Sequence, residues 1–275
     1  MRIQHNITAL NSHRNLTNNN SSLTKNLEKL SSGYRINRAG DDAAGLAISE
    51  KMRAQITGLQ TAQKNSEDGV SLVQTAEGAL TEVHSMLNRM VELATQSANG
   101  TYSSANRSEM QKEIVALRDE INRISNTANF NGTTLFSSLG ADTKEVAIHA
   151  GETSKTDNQI TITLQKMDAT TLGIDALNIG EADTARLAID TINDAIDDIS
   201  SLRSDFGALQ NRLEHTINNL GVQTENLSAA ESRIRDVDMA KEMMAYTKNN
   251  ILVQASQAML AQANQVPQGV LQLLQ

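Results

Sequence analysis

From Gly45 to Ala94, alternating steps of three and four land on small or apolar residues almost throughout. The positions are Gly45, Ile48, Met52, Gln55, Leu59, Ala62, Ser66, Gly69, Val73, Ala76, Leu80, Val83, Leu87, Met90 and Ala94, and only Gln55 and Ser66 are polar. This is the spacing of a coiled-coil seam, and no proline interrupts it. It predicts one helix of roughly 75 Å at 1.5 Å per residue. A helix of that length must lie against other long helices.

A second seam steps through Ala188, Ile192, Ala195, Ile199, Leu202, Phe206, Leu209, Leu213, Thr216, Leu220, Gln223, Leu227, Ala230 and Ile234, polar only at Thr216 and Gln223. Ile189, Ile196 and Ile217 widen it, as expected of a helix that touches more than one neighbour. A third, shorter helix is predicted over about 103–125, with Met110, Ile114, Leu117, Ile121 and Ile124 on one face; Asn99-Gly100 marks its turn from the first. Between the seams the period changes to two, at Val146 and Ile148 and again at Ile160, Ile162 and Leu164. With the polar stretch GETSKTDN between them, these segments predict a β-hairpin at about 144–166. The rest of 129–180 reads as loops. The fold class is therefore mainly α: a long antiparallel, coiled-coil-like helical bundle carrying a small β-hairpin.

Both ends of the chain carry narrow stripes. At the C-terminus, Leu252, Ser256, Met259, Ala263, Val266, Val270 and Leu273 step by four and three; at the N-terminus, Ile3, Ile7 and Leu10 begin such a seam, and Leu16, Leu23, Leu27 and Leu30 continue it one residue out of phase. Their other faces are rich in Asn, Gln and Ser. Isolated helices of this kind are marginal in water. The expected partner of each end is the other end, paired as a coiled coil, followed by the ends of other copies. Pro267 cannot donate to the carbonyl of Ala263, so a local kink or relaxed turn is expected, with the helix continuing to Leu273.

Composition argues against an active site. Cysteine is absent, which excludes disulfides, thiol catalysis and Cys-based zinc sites. None of His5, His13, His84, His149 and His215 lies three or four residues from another, and DAIDDISSLRSD lacks the glycine and spaced acids of a calcium loop. No metal, cofactor or enzymatic activity is expected. The formal net charge is −8; the first forty residues carry six Lys or Arg against Glu28 alone, but no aromatic stacking platform accompanies them. No nucleic-acid partner is expected. No apolar run reaches the roughly 18 residues of a membrane span. The N-terminus lacks the apolar core of a secretory signal, so export is expected by a route without a cleaved signal peptide.

The stretch SSGYRINRAGDDAAGLAISE contains Gly40 and Gly45 at phosphate-loop spacing, but Leu46 and Ala47 stand where such a loop needs Lys and Ser or Thr. It reads instead as a joint. Gly33 ends the first helix, and Asp41 or Asp42 caps the long helix that begins at Ala43. Gly45 permits close backbone approach on the seam.

Several long motifs resemble bacterial flagellin: LSSGYRINRAGDDAAGLAISEKMRAQI, SLVQTAEGAL and NFNGTTLF in the first half, AAESRIRDVDMAKEM and ILVQASQAMLAQANQVPQGVLQLL in the second. The resemblance covers residues 1 to about 136 and about 184 to 275, and it keeps proline in the same VPQ setting. It implies an inner-core coiled-coil domain of residues 1–42 and 236–275 and a helical domain of residues 43–235, in a short form without outer domains. It further implies a self-polymerising filament subunit for swimming motility, located outside the cell, whose ends fold on assembly. The assembly residues would be Ile3, Ile7, Leu10, Leu23, Leu27, Leu30, Leu252, Met259, Val266, Val270 and Leu273. Partners implied are an export chaperone, cap and hook-junction proteins. An animal Toll-like receptor for flagellin is also implied, by NRMVELATQ: Arg89 and Leu93 match the receptor-contact pattern Q-R-V-R-E-L, in which Asn88 and Val91 replace Gln and Arg. Glu113 is similar to the partner glutamate and Leu117 to a nearby contact. Two alternatives are a hook–filament junction protein and, from another class, a secreted membrane-active helical protein. Against the latter, the end stripes are narrow and lack Trp and a Lys/Arg-rich face.

Overall fold

A computed structural model of the chain describes residues 6–137 and 143–273, with side chains up to Val266. Ile3 lies outside the described residues, as do the side chains of Pro267, Val270 and Leu273. The elements are α1 (Ile7–Ser32), α2 (Ala43–Ala98), α3 (Ser104–Thr127), β1 (Asn129–Phe130), β2 (Thr133–Thr134), β3 (Thr143–His149), β4 (Gln159–Gln165), α4 (Ala182–Arg235) and α5 (Met239–Leu273). The seam from Gly45 to Ala94 is thus one uninterrupted helix, and α5 runs through position 267 to Leu273. The chain forms two compact units, Met1–Ile56 with Glu225–Gln275, and Thr57–Thr224. The division falls inside α2 and α4.

In the unit Thr57–Thr224, every α2 seam position from Leu59 to Ala94 is buried, and Ala185, Ala188, Ile192, Ala195, Ile199, Leu202, Phe206, Leu213 and Leu220 of α4 are buried likewise. Ser66 is tolerated in that seam because its hydroxyl donates to the Ala62 carbonyl at 2.9 Å. Ile114 and Ile121 of α3 belong to the same core. Strands β3 and β4 pair antiparallel with Val146 opposite Ile162 and Ile148 opposite Ile160, and β4 alternates exposed and buried residues as the period of two predicts.

The loops expected over 129–180 need one correction and one addition. Residues 129–134 form a second, minimal hairpin, β1 paired with β2, turned by Asn131 (φ 48°) and Gly132 (φ 77°). Two successive positive φ values are those of a type I′ turn, which Asn-Gly favours. The stretch after β4 is core: Met167, Ala169, Leu172, Ile174 and Ile179 are all buried. It has no regular ladder, so side chains of α3 satisfy its backbone. Gln111 donates to the Leu177 carbonyl at 3.0 Å and accepts from the Ile179 N–H at 2.7 Å; Asn122 accepts from the Ala169 N–H at 2.9 Å; Arg118 donates to the Asp175 carbonyl at 3.0 Å.

Candidate functional site

In the unit Met1–Ile56 with Glu225–Gln275, α1 and α5 run antiparallel against each other, as the descending partner numbers show. Asn6, the N-cap of α1, accepts from the Ala9 N–H and donates to the Ala263 carbonyl at 2.8 Å. Asn19 donates to the Ser256 hydroxyl at 3.0 Å. Asn26, with its amide oriented to suit its neighbours, donates to Glu242 Oε1 at 3.1 Å and accepts from Asn249 Nδ2 at 3.0 Å. Around these bonds Leu16, Leu23 and Leu30 of α1 are half-buried, and Ser256 and Ala263 of α5 are buried. The contact between the two ends therefore mixes polar and apolar residues, with leucines between the asparagines of α1 and half-buried Val253 and Leu260 beside Ser256 and Ala263 of α5.

Most of the assembly residues expected from sequence do not lie in that contact. Of them, Leu23 and Leu30 do. Ile7 (58% exposed), Leu10 (64%), Leu27 (55%), Leu252 (38%), Met259 (58%) and Val266 (48%) face away from it. The cause is rotational: at about 100° per residue, Leu10 lies on the side of α1 opposite Asn19, and Met259 is turned by about 60° from Ser256. Each helix meets the other end of the same chain with a mixed seam and keeps a second set of apolar residues outside it. Ile251 (60%) and Met244 (68%) are exposed on α5 as well.

The joint is built as a clasp between the two connectors. Gly33 ends α1 in the left-handed conformation (φ 75°), its N–H donating to the Lys29 carbonyl. The two candidate caps divide their work. Asp42 caps α2, accepting from the Gly45 N–H at 2.9 Å, while Asp41 closes the connector by accepting from the N–H groups of Arg38 (3.1 Å) and Asn37 (3.3 Å). Those two backbone bonds hold the Asp41 carboxyl below its usual pKa. Gly40 has open space around it, whereas Gly45 is buried with Asp42 and Ile36 against it. What approaches Gly45 closely is therefore those two side chains, not the backbone expected there.

The sequence reading missed the other half of this clasp. Tyr34 bridges Asp236 as an isolated antiparallel pair, the Arg35 N–H donates to the Arg235 carbonyl, and the Val237 N–H donates to the Gly33 carbonyl at 3.0 Å. The Arg235 guanidinium sits 4.9 Å from the centre of the Tyr34 ring and donates to Glu50 at 2.6 Å. That bond is the leading reason that the Glu50 carboxyl titrates below its ordinary value. No local motif marks Arg235 or Glu50 as partners, since they are 185 residues apart.

The four residues matched to a receptor motif fall in the other unit. Arg89 donates to Glu113 at 2.9 Å and also pairs with Glu92, and its side chain and that of Glu113 are each 44% exposed. Leu117 is half-buried. Leu93 is 2% exposed and belongs to the core.

Fold and site define a structural subunit of long helices that brings its two chain ends together and leaves an apolar stripe on each uncovered. A model of the bacterial flagellin N-terminal helical region matches residues 3–141, and one of the C-terminal helical region matches residues 189–274. The chain is 53% identical over 305 residues to a flagellin of Bacillus subtilis (strain 168) and 54% identical over 274 residues to a flagellin of Halalkalibacterium halodurans, in each case over 100% of both chains. The crystal structure of Bacillus cereus flagellin matches with a TM-score of 0.50 at 35% identity, over 61% of this chain and 94% of that one. The chain belongs to the bacterial flagellin family and is a structural subunit of the flagellar filament. Identity along the whole length, long helices included, sets it apart from the junction-protein alternative.

Proposed function

We propose that the paired ends are the polymerising element, and that their outer stripes are covered by the same stripes of neighbouring copies. One observation carries this reading: Ile7, Leu10, Leu27, Ile251, Met259 and Val266 are each about half exposed or more although α1 and α5 already lie against each other. Ordering a residue costs about 1 to 2 kcal/mol of backbone entropy. Burying a Leu, Ile, Val or Met contributes roughly 1.5 to 3 kcal/mol. With those six residues turned outward and Leu16, Leu23 and Leu30 only half-buried, the pair lacks much of that second contribution until other copies arrive. The ends of a free subunit therefore order on docking, which couples folding to growth of the filament.

Purified subunit is added to short filament seeds, beside a version lacking residues 243–275, and the products are imaged by electron microscopy. Long filaments from the full chain and none from the truncation are expected; equal growth from both refutes a role for the ends. Circular dichroism of free subunits as helical as filaments would refute the coupling. The flagellar setting places the subunit outside the cell, and an export chaperone, cap and hook-junction proteins are the further partners that family membership suggests. For an animal Toll-like receptor the proposed contacts are Arg89, Leu93, Glu113 and Leu117, of which Arg89 and Glu113 form a half-exposed pair on α2 and α3. Arg89→Ala in a reporter-cell assay with free subunit should lower signalling, and an unchanged response removes the receptor from the list.

A further inference from the structure

Nine methionines lie among the described residues, and burial sorts them by element. Met90 and Met167 are buried, and Met52, Met86 and Met110 are half-buried. Met239 (49% exposed), Met243 (48%), Met244 (68%) and Met259 (58%) are open, and all four belong to α5. The chain has no cysteine, so no thiol competes for an oxidant. A thioether becomes polar and chiral when oxidised to the sulfoxide, which disrupts methionine-rich contacts.

We propose that the α5 methionines are an oxidation site that gates incorporation of the free subunit. The co-reactant is a peroxide. The sulfur lone pair attacks one peroxide oxygen, the O–O bond breaks, sulfur is oxidised by two electrons to the sulfoxide, and the peroxide is reduced to water (an alcohol, if an organic peroxide). Met259 sits on the same outer stripe as Leu252 and Val266, and Met239, Met243 and Met244 occupy the start of the same helix beside Glu242, which Asn26 holds. Sulfoxides there put polar oxygens where a neighbouring copy needs apolar surface. Once neighbours cover the stripe, the same sulfurs are shielded, so an assembled filament outlasts a free subunit under oxidant.

The inference rests on the assembly reading above, and one experiment separates the two. Free subunit and finished filaments are treated with hydrogen peroxide, sulfoxides are mapped by peptide mass spectrometry, and the treated subunit is offered to seeds. The expected result is oxidation of Met239, Met243, Met244 and Met259 ahead of Met90 and Met167 in the free subunit, at least tenfold slower oxidation of the α5 set in filaments, and at least tenfold slower elongation. Reduction of the treated subunit by methionine sulfoxide reductases A and B, one for each sulfoxide epimer, should restore elongation. Elongation of oxidised wild type at the untreated rate overturns the gate while the assembly reading stands. So does inhibition that the reductases leave in place although the sulfoxides are gone by mass spectrometry. Failure of untreated wild type to elongate overturns the assembly reading and the gate with it.

Discussion

Gly45→Ala introduces one methyl group at the joint, and the structure sets its cost. The new Cβ would stand 2.5 Å from Asp42 Oδ2, 3.0 Å from Asp42 Cγ and 2.8 Å from Ile36 Cδ1. Ile36 is 3% exposed, so its end has little room, and the Asp42 carboxylate must swing out. That breaks its bond to the residue 45 N–H, and loss of an N-cap costs about 1 kcal/mol. Alanine returns at most about 1 kcal/mol of helix propensity. The Ile36 displacement comes on top, so the first turn of α2 should be destabilised on balance. In an Asp42→Ala background the cap is already gone and its oxygen no longer collides, so the same substitution should be neutral or stabilising. The coupling between the two sites should be about 1 kcal/mol, as contacting residues commonly show. Because the chain has two units, a global unfolding curve would blur this, and hydrogen exchange reads the local opening. Amide protection over residues 46–49 should fall with Gly45→Ala in the wild-type background, with the two backgrounds differing by about fivefold in the effect. The same change in protection in both backgrounds would falsify the argument that Asp42 is what the glycine makes room for.

Phe206 is fully buried in the core beside α2, so Phe206→Ala should cost about 3 to 5 kcal/mol and lower the thermal midpoint of that unit; a loss under 1 kcal/mol would mean that the site repacks. Burial alone would raise the Asp168 pKa, but bonds from Lys166 and Thr171 outweigh it and bring the value to about 2. A depressed carboxylate stabilises the fold above its ordinary pKa near 4 and loses that contribution as pH falls through about 2. Urea unfolding between pH 4 and 2 should therefore be steeper in pH for the wild type than for Asp168→Asn. Glu50 follows the same sign, so acid should loosen the clasp below the ordinary carboxylate range; Arg235→Ala should lessen the acid sensitivity of hydrogen exchange at residues 33–42, Asp41 accounting for what remains, and an unchanged pH profile would dismiss the clasp. Asn19→Leu exchanges a register-setting polar contact for apolar area, so circular dichroism of the free subunit should show more helix at the ends; no gain would mean that Asn19 does not limit their pairing.

What the sequence determined by itself was periodicity. The 3,4 repeat from Gly45 to Ala94 specifies a helix because only that backbone brings those positions to one side, and the alternation through Ile160, Ile162 and Leu164 specifies a strand for the matching reason. Gly33, Asp41 and Asp42 were legible because caps and turns depend on neighbours within a few residues. The Asn131-Gly132 turn carried the same kind of local signal, but two-residue strands are too short to show alternation. The buried stretch from Met167 to Ile179 has no period at all, since its backbone is satisfied by Gln111, Asn122 and Arg118 from α3. Tertiary structure decided azimuth and partnership. A repeat says that a helix has a stripe, not which of two adjacent stripes meets which neighbour, and α1 and α5 turn Asn19, Asn26 and Ser256 inward while Leu10 and Met259 face out. Arg235 and Glu50 meet only because the fold returns the end of α4 to the start of α2, and hydrogen bonding and charge act over a few ångströms of space, however far apart the residues stand in the chain.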